Sequence, residues 1–258
     1  MRPKPYIGIT GFTSRSQVNA VLGNGLPAVT DQLVMAGLLV SNRTMRGETN
    51  NWPNRYPKPG DLKHIFVQDL RLLNLIHFNT SIKDLPVLLD HMRVAQELAG
   101  PACNGFQLNI AWPDPEVLEK YKRAPGDNNT IVLQCGSKAM AEAGDMSRLA
   151  TRLQKYDGLA DYVLIDPSGG LGKDFNYADM YATLETLFCN APQTMGIGIA
   201  GGLSPDNLDR LRPLLEEFEF SIDAEGKLRD KDDHLDITVA SSYLREASQL
   251  YRECGQAL

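Results

Sequence analysis

The sequence predicts an α/β fold, a single (β/α)8 barrel, and three observations carry that prediction. Short apolar runs alternate with longer amphipathic stretches from one end to the other. Several of the runs, such as Val163-Leu164-Ile165, are continuously apolar, as parallel strands covered on both faces must be. Finally, eight such repeats fit within 258 residues, about the length one barrel domain needs. One domain over residues 1–258 therefore suffices. An open doubly wound sheet with an extra lobe is the alternative architecture.

The expected strands are Tyr6–Thr10, Gly37–Ser41, Leu73–Asn79, Gly105–Ala111, Thr130–Cys135, Asp161–Asp166, Thr194–Ala200 and Phe218–Asp223. Between the third and fourth, residues 84–99 place Leu85, Leu88, Leu89, Met92 and Ala95 on one helical stripe. Residues 204–218 open with Ser-Pro-Asp-Asn, a capping residue followed by proline at the first helical position, and carry Leu208, Leu211, Leu214 and Leu215 at helical spacing. The longest irregular stretch, Asn42–Gly60, follows the second strand and would rise from the catalytic face. The acidic run from Asp230 to Asp236 reads as the solvated start of the eighth helix, where negative charge is favourable.

Composition narrows the function. A hydrophobic fraction of 43% with 22% charged residues is that of an ordinary globular domain with a sizeable core. A net charge of −6 argues against nucleic acid or an anionic membrane as partner, so any anion must be held by a local set of donors. Neither a leader peptide nor a membrane span is evident. The four cysteines (Cys103, Cys135, Cys189 and Cys254) are scattered, which suggests reduced thiols in a cytoplasmic protein. The four histidines show no metal-ligand spacing, and no cofactor is expected. A homodimer is compatible with the sequence.

The chemistry concentrates after the last three strands. Asp166-Pro-Ser-Gly-Gly-Leu-Gly-Lys173 follows the sixth, Ala200-Gly-Gly-Leu-Ser-Pro-Asp-Asn207 the seventh, and Asp223-Ala-Glu-Gly-Lys227 the eighth. Glycines let successive backbone amides face an oxyanion without a Cβ in the way, and a helix amino end adds partial positive charge. Gly169, Gly170, Gly172, Gly201, Gly202 and Gly226 are thus the candidate phosphate-binding residues. Taken singly, each loop could equally be a tight turn; two glycine-rich loops at successive strand ends favour the phosphate. The run Gly196-Ile-Gly-Ile-Ala-Gly201 fits the dinucleotide fingerprint in letters only, because its alternation is that of a strand and it falls late in the chain. Gly172-Lys173 lacks the earlier glycine and the following hydroxyl of a P-loop.

Together these residues resemble the phosphoribosylanthranilate isomerase family of tryptophan biosynthesis. Tyr162-Val-Leu-Ile-Asp166, with Gly169-Gly-Leu-Gly-Lys173 and Phe175, is similar to that family's LLLD…GGTGKTFDW stretch. Ala200–Asn207 is similar to its AGGLNPENV, and Gln107-Leu108-Asn109 to its QLHG. Asp223 to Asp230 is a weak counterpart of DVSSGVE…GxKD, and Ile7-Gly-Ile-Thr-Gly11 sits where KICGIT would lie. The match is strong from the sixth strand to the start of the seventh helix.

The resemblance implies an Amadori rearrangement: an acid protonates the ring oxygen of a phosphoribosylamine and opens the sugar, and a base removes a proton from the adjacent carbon. It puts Asp166 in the position of the acid. The family's base, the cysteine of KICG, is Thr10 here, and a hydroxyl is a poor base at neutral pH. The histidine of QLHG is Asn109, the eighth-strand motif is shortened, and the second loop is much longer. The family's own substrate is accordingly expected to be turned over poorly or not at all. Cys135 and His77 end near the mouth; Cys135 is a candidate base or a buried inert thiol, and His77 reads as pointing into packing. Arg43 and Arg46 are candidates for a substrate carboxylate or simply solvated charges, with Asn109 and Asp223 as further substrate-binding candidates. The partner expected is a small phosphorylated metabolite. Two functions follow: an isomerase-like enzyme with Asp166 as acid, or a phosphate-ligand-binding or regulatory barrel without the reaction. A lysine Schiff-base lyase is weaker, because Lys138 and Lys173 lie beyond the strand ends.

Overall fold

The computed structural model describes residues 1–25, 33–124, 129–167 and 176–256. Eight parallel strands close into one barrel in chain order: β1 (Tyr6–Thr10), β2 (Leu33–Ser41), β3 (Leu72–Asn79), β4 (Gly105–Asn109), β5 (Thr130–Gly136), β6 (Tyr162–Asp166), β7 (Gly196–Ala200) and β8 (Ser221–Ala224). Closure is made by β8 on β1, with Ile7 beside Ile222 and Gly8 beside Asp223. The (β/α)8 expectation therefore holds over the described chain. β1 has the expected bounds, and the ends of the other strands shift by at most four residues. The largest shift is β2, which starts at Leu33 so that it runs beside all of β1, Tyr6 against Leu33. An apolar run buried on both faces has no alternation to mark where it begins.

Helices cover the outside. The stripe at residues 84–99 forms Leu85–Ala99, started by the Asp84 carboxylate accepting from the Val87 amide. The stretch after β7 departs from expectation. It forms a 3-10 helix over Pro205–Leu211 and then a single α-helical turn at Arg212–Leu215. Pro213 lacks the amide that an uninterrupted helix would need there. The acidic run divides in two: Asp236 caps the last helix, Ile237–Glu253, while Asp233 pairs with Arg55. Among the described residues no helix is long and apolar enough to cross a membrane.

Two hydrophobic layers result. Outward-facing strand residues such as Ile9, Leu38, Phe106 and Val163 pack under the helices. Tyr6, Met35, Leu73, Leu75, Val132, Tyr162 and Leu164 fill the lower barrel interior. Fully burying such a side chain is worth about 1.5–3 kcal/mol. Glycines make room for these large residues. A Cβ on Gly196 would collide with the Tyr162 ring, and one on Gly8 would lie 2.7 Å from an Asp223 carboxylate oxygen.

Candidate functional site

Counting inward positions up the strands moves the interior from apolar to polar. Thr10, His77, Gln107, Gln134, Asp166 and Asp223 are all buried. Buried polar groups must find partners, and these find one another. Gln134 Nε2 donates to Asp166 Oδ2 at 2.9 Å. Gln107 Nε2 lies 3.1 Å from Gln134 Oε1 and 3.0 Å from Asp223 Oδ2. Thr10 Oγ1 donates to both oxygens of the same carboxylate at 3.2 Å. The two carboxyl groups are thus joined by a bridge of two side-chain amides.

At the mouth, a pocket is lined by His77, Gln134, Asp166 and Asp223 together with Gly201, Gly202, Glu225, Gly226 and Lys227. Gly201 and Gly202 have φ of 122° and 67°, a region that favours glycine. Asn207 fixes this loop by donating from Nδ2 to the Gly202 carbonyl, while its Oδ1 accepts from the Ser204 amide. Because the following 3-10 helix is short, any anion here would rest on the glycine backbone and Lys227 rather than on a long helix dipole. Gly169, Gly170, Gly172 and Lys173 lie outside the described residues.

Several expectations change. Cys135 does not face the mouth. It alternates with the inward Gln134 and packs in the layer beneath the helices, where burial pushes its thiol up to about 12. His77, expected in packing, instead lines the mouth. Its ring nitrogens lie 3.2 Å from Gln107 Nε2 and 3.4 Å from Asn109 Nδ2. Burial lowers its pKa, so the ring is neutral near pH 7. Thr10 is fully buried below the mouth and touches Asp223. Arg43 and Arg46 lie apart from the axis, lining a cleft of about 420 Å³ with Asn50, Trp52 and Asn79. Arg46 there pairs with Glu48. Asn79 is two residues beyond His77 on the same face of β3, so this cleft opens beside the mouth.

Arg55, which sequence reasoning passed over, ties the long second loop across β1. It donates to Glu225 Oε1 at 2.9 Å and to both oxygens of Asp233, while Asn54 donates to the Asp232 carbonyl. No local pattern marks this arginine, because its partners are distant in sequence.

Asp223 is the most perturbed acid of the site. Burial raises it to about 7; Glu225 and Asp166 push the same way, while the donors Gln107 and Thr10 oppose. A buried carboxyl raised in this way is favourable to folding while protonated. That advantage disappears as pH rises from about 4, the unfolded value, through about 7. Asp223→Asn is therefore expected to be more stable than the parent at about pH 8 by on the order of 2 kcal/mol, with no gain near pH 4. Thermal melts at the two pH values check this.

No family model and no curated protein sequence matches the chain. Solved structures do match it in fold. A phosphoribosyl anthranilate isomerase from Thermus thermophilus superposes with a TM-score of 0.62 at 15% identity, covering 98% of this chain and 99% of that one. TrpF from Jonesia denitrificans gives a TM-score of 0.63 at 14% identity, covering 95% and 98%. A structure described as native KDPGal gives 0.55 at 17% identity, covering 99% and 100%. None of the eight strands carries a lysine, and Lys138 sits exposed on the short helix Ser137–Ala143. The chain therefore has the (β/α)8 fold that phosphoribosylanthranilate isomerase structures share.

Proposed function

We propose that the chain is an isomerase-like barrel acting on a phosphorylated sugar derivative, with Asp166 as general acid. The observation that carries this reading is the shared pocket. A carboxyl at the end of β6 shares its pocket with two left-handed glycines, Gly226 and a lysine, groups whose chemistry suits a phosphate beside an acid. Among the described residues Lys227 makes no ion pair, so its charge is available to an anion. The end of the substrate remote from its phosphate enters the side cleft, where Arg43 supplies planar donors for a carboxylate, Asn79 an amide, and Arg46 can serve only by exchanging Glu48 for the substrate.

Inorganic phosphate or a sugar phosphate is expected to raise the melting temperature, because a ligand binding only the native state stabilises it. At about 100 times its dissociation constant the gain is about 2.7 kcal/mol. Lys227→Ala should weaken the effect. No shift at millimolar phosphate would remove the phosphate site.

One observation favours a second reading. Thr10 is buried and already engaged with Asp223, so it does not reach the mouth to act as base. Without another base the barrel would bind a phosphorylated ligand and turn nothing over. Complementation of a strain lacking phosphoribosylanthranilate isomerase separates the two readings in one direction: growth would establish turnover.

A further inference from the structure

We propose that the proton acceptor of this site is Asp223, held for that role by Thr10 and Gln107, and that it works across the mouth from Asp166. The inference rests on the reading of the pocket as a sugar-phosphate isomerase site and supplies the base that Thr10 does not.

The geometry is specific to a carboxylate. Every side chain that hydrogen-bonds Asp223 is a donor: the Thr10 hydroxyl to both oxygens, and the Gln107 amide to Oδ2. A threonine in place of a cysteine under this carboxylate is thus a support for the base rather than a failed base. Gly8 on the neighbouring strand leaves the space, since a Cβ there would lie 2.7 Å from Oδ1. Asp166 and Asp223 line one pocket, yet they are engaged by different amides. The charged and titratable groups around Asp223 are Asp166 from β6, Glu225 just beyond β8, and the phenols of Tyr6 and Tyr243; His77 and Lys227 share its pocket. The carboxylates and burial hold Asp223 near neutrality, where an acceptor can both take and return a proton. At the rim, Arg229 donates to the Thr10 carbonyl, fixing the strand end that carries the supporting hydroxyl.

Asp166 gives a proton to the ring oxygen of an N-linked ribosyl phosphate as the bond from the anomeric carbon to that oxygen breaks, and the nitrogen lone pair forms an iminium. Asp223 then takes the proton from the adjacent carbon, and that C–H electron pair neutralises the iminium as an enamine-enol. Return of this proton to the former anomeric carbon, with loss of the enol hydroxyl proton to Asp166, gives the aminoketose and restores both acids. No external oxidant or reductant is needed.

The test uses an N-aryl aminodeoxyribulose phosphate in deuterated water, reading exchange at the carbon bearing nitrogen by proton NMR, with phosphate-induced melting shifts measured on the same proteins. Asp223→Asn should slow exchange by about 100-fold or more and keep the melting shift. Thr10→Val preserves the shape but removes one donor to the ionised form, so it should move the pH midpoint of exchange upward. Cys135→Ala should match the parent. Exchange by Asp223→Asn within about threefold of the parent, or an unmoved midpoint in Thr10→Val, overturns the assignment while leaving the phosphate site intact. A melting shift without exchange in the parent chain also overturns it and leaves a binding protein. Absence of both signals sinks the underlying reading instead.

Discussion

Asp166→Asn is expected to lower turnover of a phosphorylated aminosugar by about 10²–10⁴-fold, the range spanned by loss of a positioned general acid. Binding of phosphate should be nearly unchanged. The substitution is close to isosteric, and the asparagine carbonyl can still accept the Gln134 amide that now reaches Asp166 at 2.9 Å. The glycines and Lys227 of the same pocket are untouched. Single-turnover kinetics paired with phosphate titration separate the two quantities. Turnover retained within a few-fold would take Asp166 out of the mechanism, whatever the fate of the phosphate site.

A large stability effect is expected at Gly196. Its φ is ordinary, so the backbone accepts any residue, but a Cβ would collide with Cδ1 of Tyr162 and lie 2.7 Å from Cε1. Tyr162 has little freedom to move. Its hydroxyl donates to the Lys4 carbonyl at 2.7 Å, and its ring packs edge-on against Tyr6 at 5.1 Å between centroids. Gly196→Ala should therefore cost about 1–3 kcal/mol, roughly 2–4 °C of melting temperature per kcal/mol in a chain of this size. Gly23→Ala is the control. Gly23 lies in the helix Arg15–Gly25, and nothing comes within 4 Å of the place an added methyl group would take, so this change should be neutral or slightly stabilising. Equal melting temperatures for the two variants would contradict the packing argument.

Much of the barrel is legible in the sequence because eight apolar runs at regular spacing admit few architectures. The continuous helix expected at residues 204–218 is not, since leucine spacing alone does not register the interruption at Pro213. Legibility of the site stops at strand parity. In strands buried on both faces, one residue decides whether a side chain meets the mouth or the helices. His77 takes the side opposite to its expectation for that reason, and Cys135 takes the buried one of its two readings. A usable signal is present nonetheless. Thr10, His77, Gln107, Gln134, Asp166 and Asp223 are polar interruptions of apolar runs, and such residues go where they can satisfy one another. In a closed barrel that place is the axis. The partnership of Arg55 with Glu225 and Asp233 has no such signal, because nothing local records it.

That partnership bears on the order in which the molecule is completed. Arg55 comes early in the chain, and its acceptors lie 170 and 178 positions later. Contacts so distant form only after the intervening chain has been ordered. During synthesis the second loop has nothing to fasten to until the last strand has emerged, so this tie is made only when the barrel is closed. A prematurely ended chain that lacked β8 would lose the latch along with the strand.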